Sequence, residues 1–215
     1  MRADFQRADG LALAALGLAW LGIWGVWIPH KTAGLTQNAD VLAYWSGVLP
    51  EVRFGPLALM PDLLRLGIAL ASLALAVSAG TLRSPWLRWA VRLLALLPGF
   101  ILLPPYPFVL DLWNSPEYGR RFIIAMVLWL GVPASGLTDL LPGVVRRALV
   151  VVLAVGGAAL GGWAFGALRT PFAVRYAQAI LPGWGVVAFI AGLTIASIAQ
   201  AIAALRERQA APEAR

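Results

Sequence analysis

Long uncharged apolar runs alternate along this chain with short polar stretches in which arginine predominates. Six runs carry no charge, over residues 10–30, 66–82, 93–110, 122–138, 148–168 and 176–205. A helix crossing the hydrocarbon core of a bilayer needs about 20 largely apolar residues, since each adds about 1.5 Å of rise. The pattern therefore predicts six transmembrane helices, near residues 10–29, 61–80, 89–103, 122–141, 145–168 and 182–205. The second and third reach that length only if Arg65 and Arg92 extend their guanidinium groups out to the headgroups. The third is the shortest, and Pro98 is expected to kink it, because an internal proline removes a hydrogen bond and crowds the preceding turn. A re-entrant third segment is the competing topology. Pro133 is expected to bend the fourth helix, whereas Pro182 suits the first turn of the sixth.

The connections are unequal. Those over residues 81–88 and 141–147 are tight and predict antiparallel hairpins, while those over residues 30–60, 104–121 and 169–181 are longer. Within the first long connection Asn38 is placed to cap a short helix carrying Val41, Leu42, Trp45 and Val48, which Pro50 closes. That helix is expected to lie flat in the membrane interface. Counting basic residues by side gives the orientation. With the N-terminus inside, the inner side holds Arg2, Arg7, Arg83, Arg88, Arg92, Arg146, Arg147, Arg206, Arg208 and Arg215. The outer side holds Lys31, Arg53, Arg65, Arg120, Arg121, Arg169 and Arg175. The excess points to cytoplasmic N- and C-termini in a cell membrane. The predicted fold is all-α, a polytopic transmembrane bundle in one domain over residues 1–215, with a polar tail from residue 206.

Composition closes off other classes. The chain is 60% hydrophobic and 13% charged, with mean hydropathy +0.79. A soluble domain carries about a quarter charged residues, so the bilayer must be the main solvent. The net charge of +7 does not indicate nucleic acid, because the basic residues sit singly or in pairs between apolar runs. The chain has no cysteine and a single histidine, His30, which excludes thiolate metal sites and bis-histidine haem. No metal or cofactor is expected. The residues 133–136, Pro-Ala-Ser-Gly, resemble the serine motif of six-helix rhomboid proteases over a few positions. The partner histidine on a later helix is missing, so Ser135 has no base, and the chain reads as no enzyme.

Two sets of residues stand out. All four tyrosines, His30 and several tryptophans fall on the outer side. Trp24, Trp27, Trp45, Tyr106, Trp113, Arg120 and Arg121 are therefore the expected ligand or partner surface, since aromatic faces stack and guanidinium groups bind anions. The rival is an interfacial aromatic belt. Asp62 and Arg65, three residues apart, can pair along one helix face but are read as solvated anchors. Asp139 either marks a helix end or, if the helix continues through it, is expected to find Arg146 or Arg147. The second set is small: Gly157, Gly161, Gly162 and Gly166 in the fifth helix, Gly192 and Ala196 in the sixth. Such faces let helix backbones approach closely, against another helix of the chain or a second subunit. Together these features favour a non-catalytic assembly subunit of a larger membrane complex, whose partners are the lipid bilayer and other membrane proteins. The alternative is the substrate-binding membrane component of a small-molecule transporter energised by a separate ATPase.

Overall fold

The computed structural model describes residues 2–30, 32, 35–104, 106, 107, 110, 112 and 114–210, the side chains of residues 2–6 and 210 excepted. It is all-helical in its regular structure: α1 (Arg2–Trp24), α2 (Ala39–Ser46), α3 (Pro50–Arg53), α4 (Met60–Ser78), α5 (Pro85–Leu102), α6 (Pro116–Ala134), α7 (Gly143–Tyr176) and α8 (Trp184–Ala210). Tight 3-10 turns, Ala79–Thr81 and Ser135–Leu140, extend α4 and α6. Helices α4 to α8 are each long and apolar enough to cross a membrane. The 23-residue α1, apolar from residue 10, packs along α8 as the sixth element of the membrane bundle. The start of α1 and the end of α8 share one face, called here the terminal face. The long connections, α2 and α3 lie at the other, the loop face.

The helix ends differ from the sequence expectation for identifiable reasons. α1 stops at Trp24 instead of continuing to residue 29, because residues 26–28 bond two neighbouring segments. Trp27 N–H donates to the Gln37 carbonyl at 2.8 Å, and Gly185 N–H donates to the Val26 carbonyl at 2.7 Å. The second of these bonds places residues 182–183 outside the helix, so α8 begins at Trp184 and not at Pro182. α5 starts four residues before the expected Trp89, where Ser84 Oγ accepts from Leu87 N–H and Pro85 takes the first turn. It runs as one helix from the turn after α4 to the loop face, long and apolar enough to cross a membrane, and does not turn back as a re-entrant segment would. α7 continues through Arg169 and Arg175, which were expected in a loop. Its buried stripe, Phe165, Leu168 and Phe172, keeps helical spacing past Arg169. Its 34 residues span about 51 Å, more than a hydrocarbon core of about 30 Å.

α4 is the centre of the bundle. Its membrane window is 78% buried, against 28% for α5 and 22% for α6, and it packs on α7, α6, α5, α1 and α2. Small residues make this possible. A Cβ on Gly67 would lie 2.9 Å from Gly161 N and 3.1 Å from Gly157 O, so α4 and α7 touch backbone to backbone. A Cβ on Gly161 would sit 2.8 Å from the Phe189 ring of α8, and one on Gly192 would meet the α1 backbone at Ala15 and Ala19. Ala196 is fully buried. These contacts are all to helices of the same chain. Gly162 touches only the end of Ile190, and Gly166 is exposed with open space beside it. The second glycine repeat of α7 faces away from the bundle, one hundred degrees per residue having carried it off the packed stripe.

The terminal face is held by ion pairs. Arg147 of α7, buried, bonds both oxygens of Asp9 on α1 at 3.3 and 3.1 Å and also donates to Glu207 on α8. Gln200 donates to Asp9 at 3.2 Å. Asp139 pairs with Arg92 at 2.7 Å and Arg88 at 3.7 Å, not with Arg146 or Arg147. α5 packs against α6, and Arg92 also donates to the Ser135 carbonyl at 3.4 Å, which brings these charges together.

Candidate functional site

A recess opens at the loop face between α2, α3, α4 and α6, with a volume of about 390 Å³. Its local architecture starts from α2. Asn38 Oδ1 accepts from Val41 N–H at 2.9 Å, as the sequence indicates, and Leu42 and Ala43 bury against α4. α2 ends at Ser46, and Pro50, expected to close it, instead opens the single turn of α3. α2 is thus seated on the bundle by its buried side, leaving Trp45 half exposed.

Arginines line the recess and complete helix ends. The last carbonyls of a helix have no partner within it, and a cation there meets both the free acceptors and the negative end of the helix dipole. Arg65 of α4, fully buried, donates to the Ala43 carbonyl in the last turn of α2 at 3.3 Å and to Asp62 Oδ1 at 3.2 Å. Arg121 of α6 donates to the Leu102 and Ile101 carbonyls at the end of α5, at 2.9 and 2.6 Å, and stands 3.6 Å from Asp40 of α2. Arg120 Nε donates to Asp62 Oδ2 at 2.5 Å. Asp62 and Arg65 are therefore not solvated anchors: both are buried, and Asp62 bridges α4 to α6. Burial raises the Asp40 carboxyl above its ordinary value of 3.8, against the opposing pull of Arg121 and Arg65. Arg53 and Glu117 complete the charged wall, with Tyr44 and Tyr118 beside them.

The residues expected to form one surface are dispersed. Arg120 and Arg121 line the recess. Trp27 is fully buried in the bundle, its ring 5.7 Å from Phe165 and 5.4 Å from Phe189, its Nε1 donating to the Gly22 carbonyl at 2.8 Å. Since α1 has already ended, Trp27 leaves the helical face it would share with Trp20 and Trp24, which pair with each other at 5.7 Å. Trp24 stays partly exposed on α1. Trp45 lines a separate, smaller cavity with Gln37, Phe172, Arg175 and Tyr176. Tyr106 is 80% exposed and lines neither. Trp113 lies outside the described residues.

Arg53, Arg65, Asp62 and Glu117 are what sequence reasoning missed as cavity residues. Two signals bore on them: the Asp62/Arg65 pair and the Arg120-Arg121 doublet both stand at the start of a predicted span on one face. Only the adjacency of α4 and α6 joins them. Comparison of the chain with family models, curated proteins and solved structures finds no match.

Proposed function

We propose that this chain is a non-catalytic membrane subunit that supports the assembly of a larger complex. The observation that carries the reading is the close packing around the buried α4 in the middle of the bundle. On α4, Gly67 and Ala71 stand in backbone-close contact with Gly157 and Gly161 of α7, and Ala69 and Ala74 are fully buried. The charged groups collect at the two ends, where they tie helices together. A packed midplane suits a rigid scaffold, whereas alternating access places a substrate site there. α5 and α6 meanwhile present apolar side chains outward, among them Leu93, Phe100, Ile123 and Leu130, to lipid or to neighbouring helices.

The second reading is a substrate-binding component of a transporter driven by a separate ATPase, and the loop-face recess with its guanidinium lining favours it. Purification of the native protein in mild detergent separates the two. Stoichiometric membrane chains without a bound solute support the scaffold; a solute retained with an ATPase partner supports the transporter and removes the scaffold. Cytoplasmic termini belong to the same proposal, resting on the arginine excess at the terminal face. Reporter fusions in the turns at Ser84 and Pro142 should read cytoplasmic and one at Asn114 extracytoplasmic. The reverse pattern inverts the orientation.

A further inference from the structure

We propose that the loop-face recess is a binding site for an anionic phosphodiester, the linkage that joins a phospholipid headgroup to its glycerol. The assignment does not depend on whether the chain is an assembly subunit.

Charge comes first. Arg53, Arg65, Arg120 and Arg121 line the recess with Asp62 and Glu117, and Asp40 stands behind Arg121. Four guanidinium groups thus face three carboxylates, leaving one positive charge, equal and opposite to that of a phosphodiester. The unspent donors can be located. Arg65 and Arg120 share Asp62, and Arg121 has Asp40 and two helix-end carbonyls. Arg53 forms no ion pair among the described residues, its guanidinium lying 5.4 Å over the Phe54 ring. Arg120 uses only Nε on Asp62, and its two terminal nitrogens make no hydrogen bond among the described residues. Buried Arg65 Nε also lacks an acceptor. A diester offers two non-bridging oxygens, which suit the fork of a guanidinium group.

The surroundings agree. The first turn of α6 forms part of the wall, and its Ser115 provides no side-chain cap, so the positive end of a 19-residue helix faces the occupant. The volume of about 390 Å³ falls in the range of small-molecule sites, roughly 300–1,000 Å³. The recess sits at the first turns of α4 and α6, the depth of headgroups. Exposed Val48 and Phe54 beside it provide apolar surface for the acyl chains that follow a lipid phosphate.

The test uses the full chain, delipidated in detergent and titrated under native mass spectrometry. The probes are dioleoylphosphatidylglycerol, its deacylated diester glycerophosphoglycerol, and phosphate-free dioleoylglycerol. One saturable phosphatidylglycerol adduct is expected. Arg53→Gln, which breaks no ion pair, should weaken it about tenfold, the loss of one charge-assisted hydrogen bond. Arg120→Gln should weaken it similarly, and Arg208→Gln on the terminal face should not. Equal binding of glycerophosphoglycerol assigns recognition to the free diester, and binding of the lipid alone assigns it to membrane phospholipid; both uphold the site. Equal retention of dioleoylglycerol, or undiminished affinity in both Arg53→Gln and Arg120→Gln, overturns it.

Discussion

Gly67 of α4 and Gly161 of α7 meet with no side chain between them: a Cβ on the first would lie 2.9 Å from the backbone nitrogen of the second. Two membrane helices gain little from the hydrophobic effect against each other, since lipid tails are as apolar as leucine. Close packing and dispersion hold them instead. Gly67→Ala is expected to destabilise the fold by about 1–3 kcal/mol, the usual cost of overpacking a filled core. Gly166→Ala, on the open side of α7, should be neutral or stabilise by up to about 1 kcal/mol through helix propensity. Unfolding in mixed micelles measures both, and equal effects would show that the α4–α7 contact is not tight.

α7 ends on Ala177, whose φ of 48° lies in the left-handed region. A side chain is strained there, and glycine is the residue most helices use. Ala177→Gly should stabilise the chain by about 1 kcal/mol. A fall in thermal midpoint would count against that conformation.

Arg147 holds three helices at once, bonding Asp9 of α1 and Glu207 of α8 from its place on α7. Arg147→Ala leaves two carboxylates together without their cation. Because both retain some solvent contact, the cost falls below that of a fully buried pair, at about 2 kcal/mol. Arg147→Lys should recover part of it, keeping the charge and losing the two-pronged geometry. Stability of the two variants in detergent decides the point: a lysine as poor as alanine would argue against a charge role.

Much of the bundle was legible because lipid imposes one strong rule, about 20 apolar residues per crossing, and the arginines punctuate it. The Asn38 cap was legible for the same reason, a local rule acting on adjacent residues. Helix ends set by distant backbone were not. Nothing near Val26 reveals that Gly185 will bond its carbonyl, nor that Gln37 will fold back on Trp27. The recess was hidden in the same way, since Asp62 and Arg120 are 58 residues apart and meet only because α6 lies against α4.

Asp40 gives a pH dependence with a definite sign. Burial raises its carboxyl above 3.8, so the folded chain holds a proton there more firmly than the unfolded one. This group's contribution to stability is therefore most favourable at low pH and declines as pH rises through the raised value. Asp40→Asn should stabilise the protein at neutral pH, and the gain should shrink as pH falls toward 3.8. Thermal midpoints of variant and parent across that range provide the comparison. A gain that persists at low pH would exclude the ionised carboxylate as its source.

Trp24 and Trp27 separate the two roles that a tryptophan on this face can have. Trp27 is fully buried, stacked edgewise on Phe165 and bonded to the Gly22 carbonyl, which also accepts from Gly25 N–H where α1 ends. Trp24 is 38% exposed and pairs with the Trp20 ring. If Trp27 served a ligand, its loss would lower binding and leave the fold intact. Its position predicts the opposite. Trp27→Ala opens a cavity among α1, α7 and α8 and removes one of the two hydrogen bonds to the Gly22 carbonyl, at a cost of about 3–5 kcal/mol. Trp27→Phe keeps most of the volume and isolates the hydrogen bond, at about 1 kcal/mol. Trp24→Ala should change stability by less than about 1 kcal/mol, because its ring already meets lipid or headgroups. Unfolding of the three variants, read together with phosphatidylglycerol binding, is decisive. Trp27→Phe with native stability but weakened binding would move Trp27 from the core of the bundle into the recess.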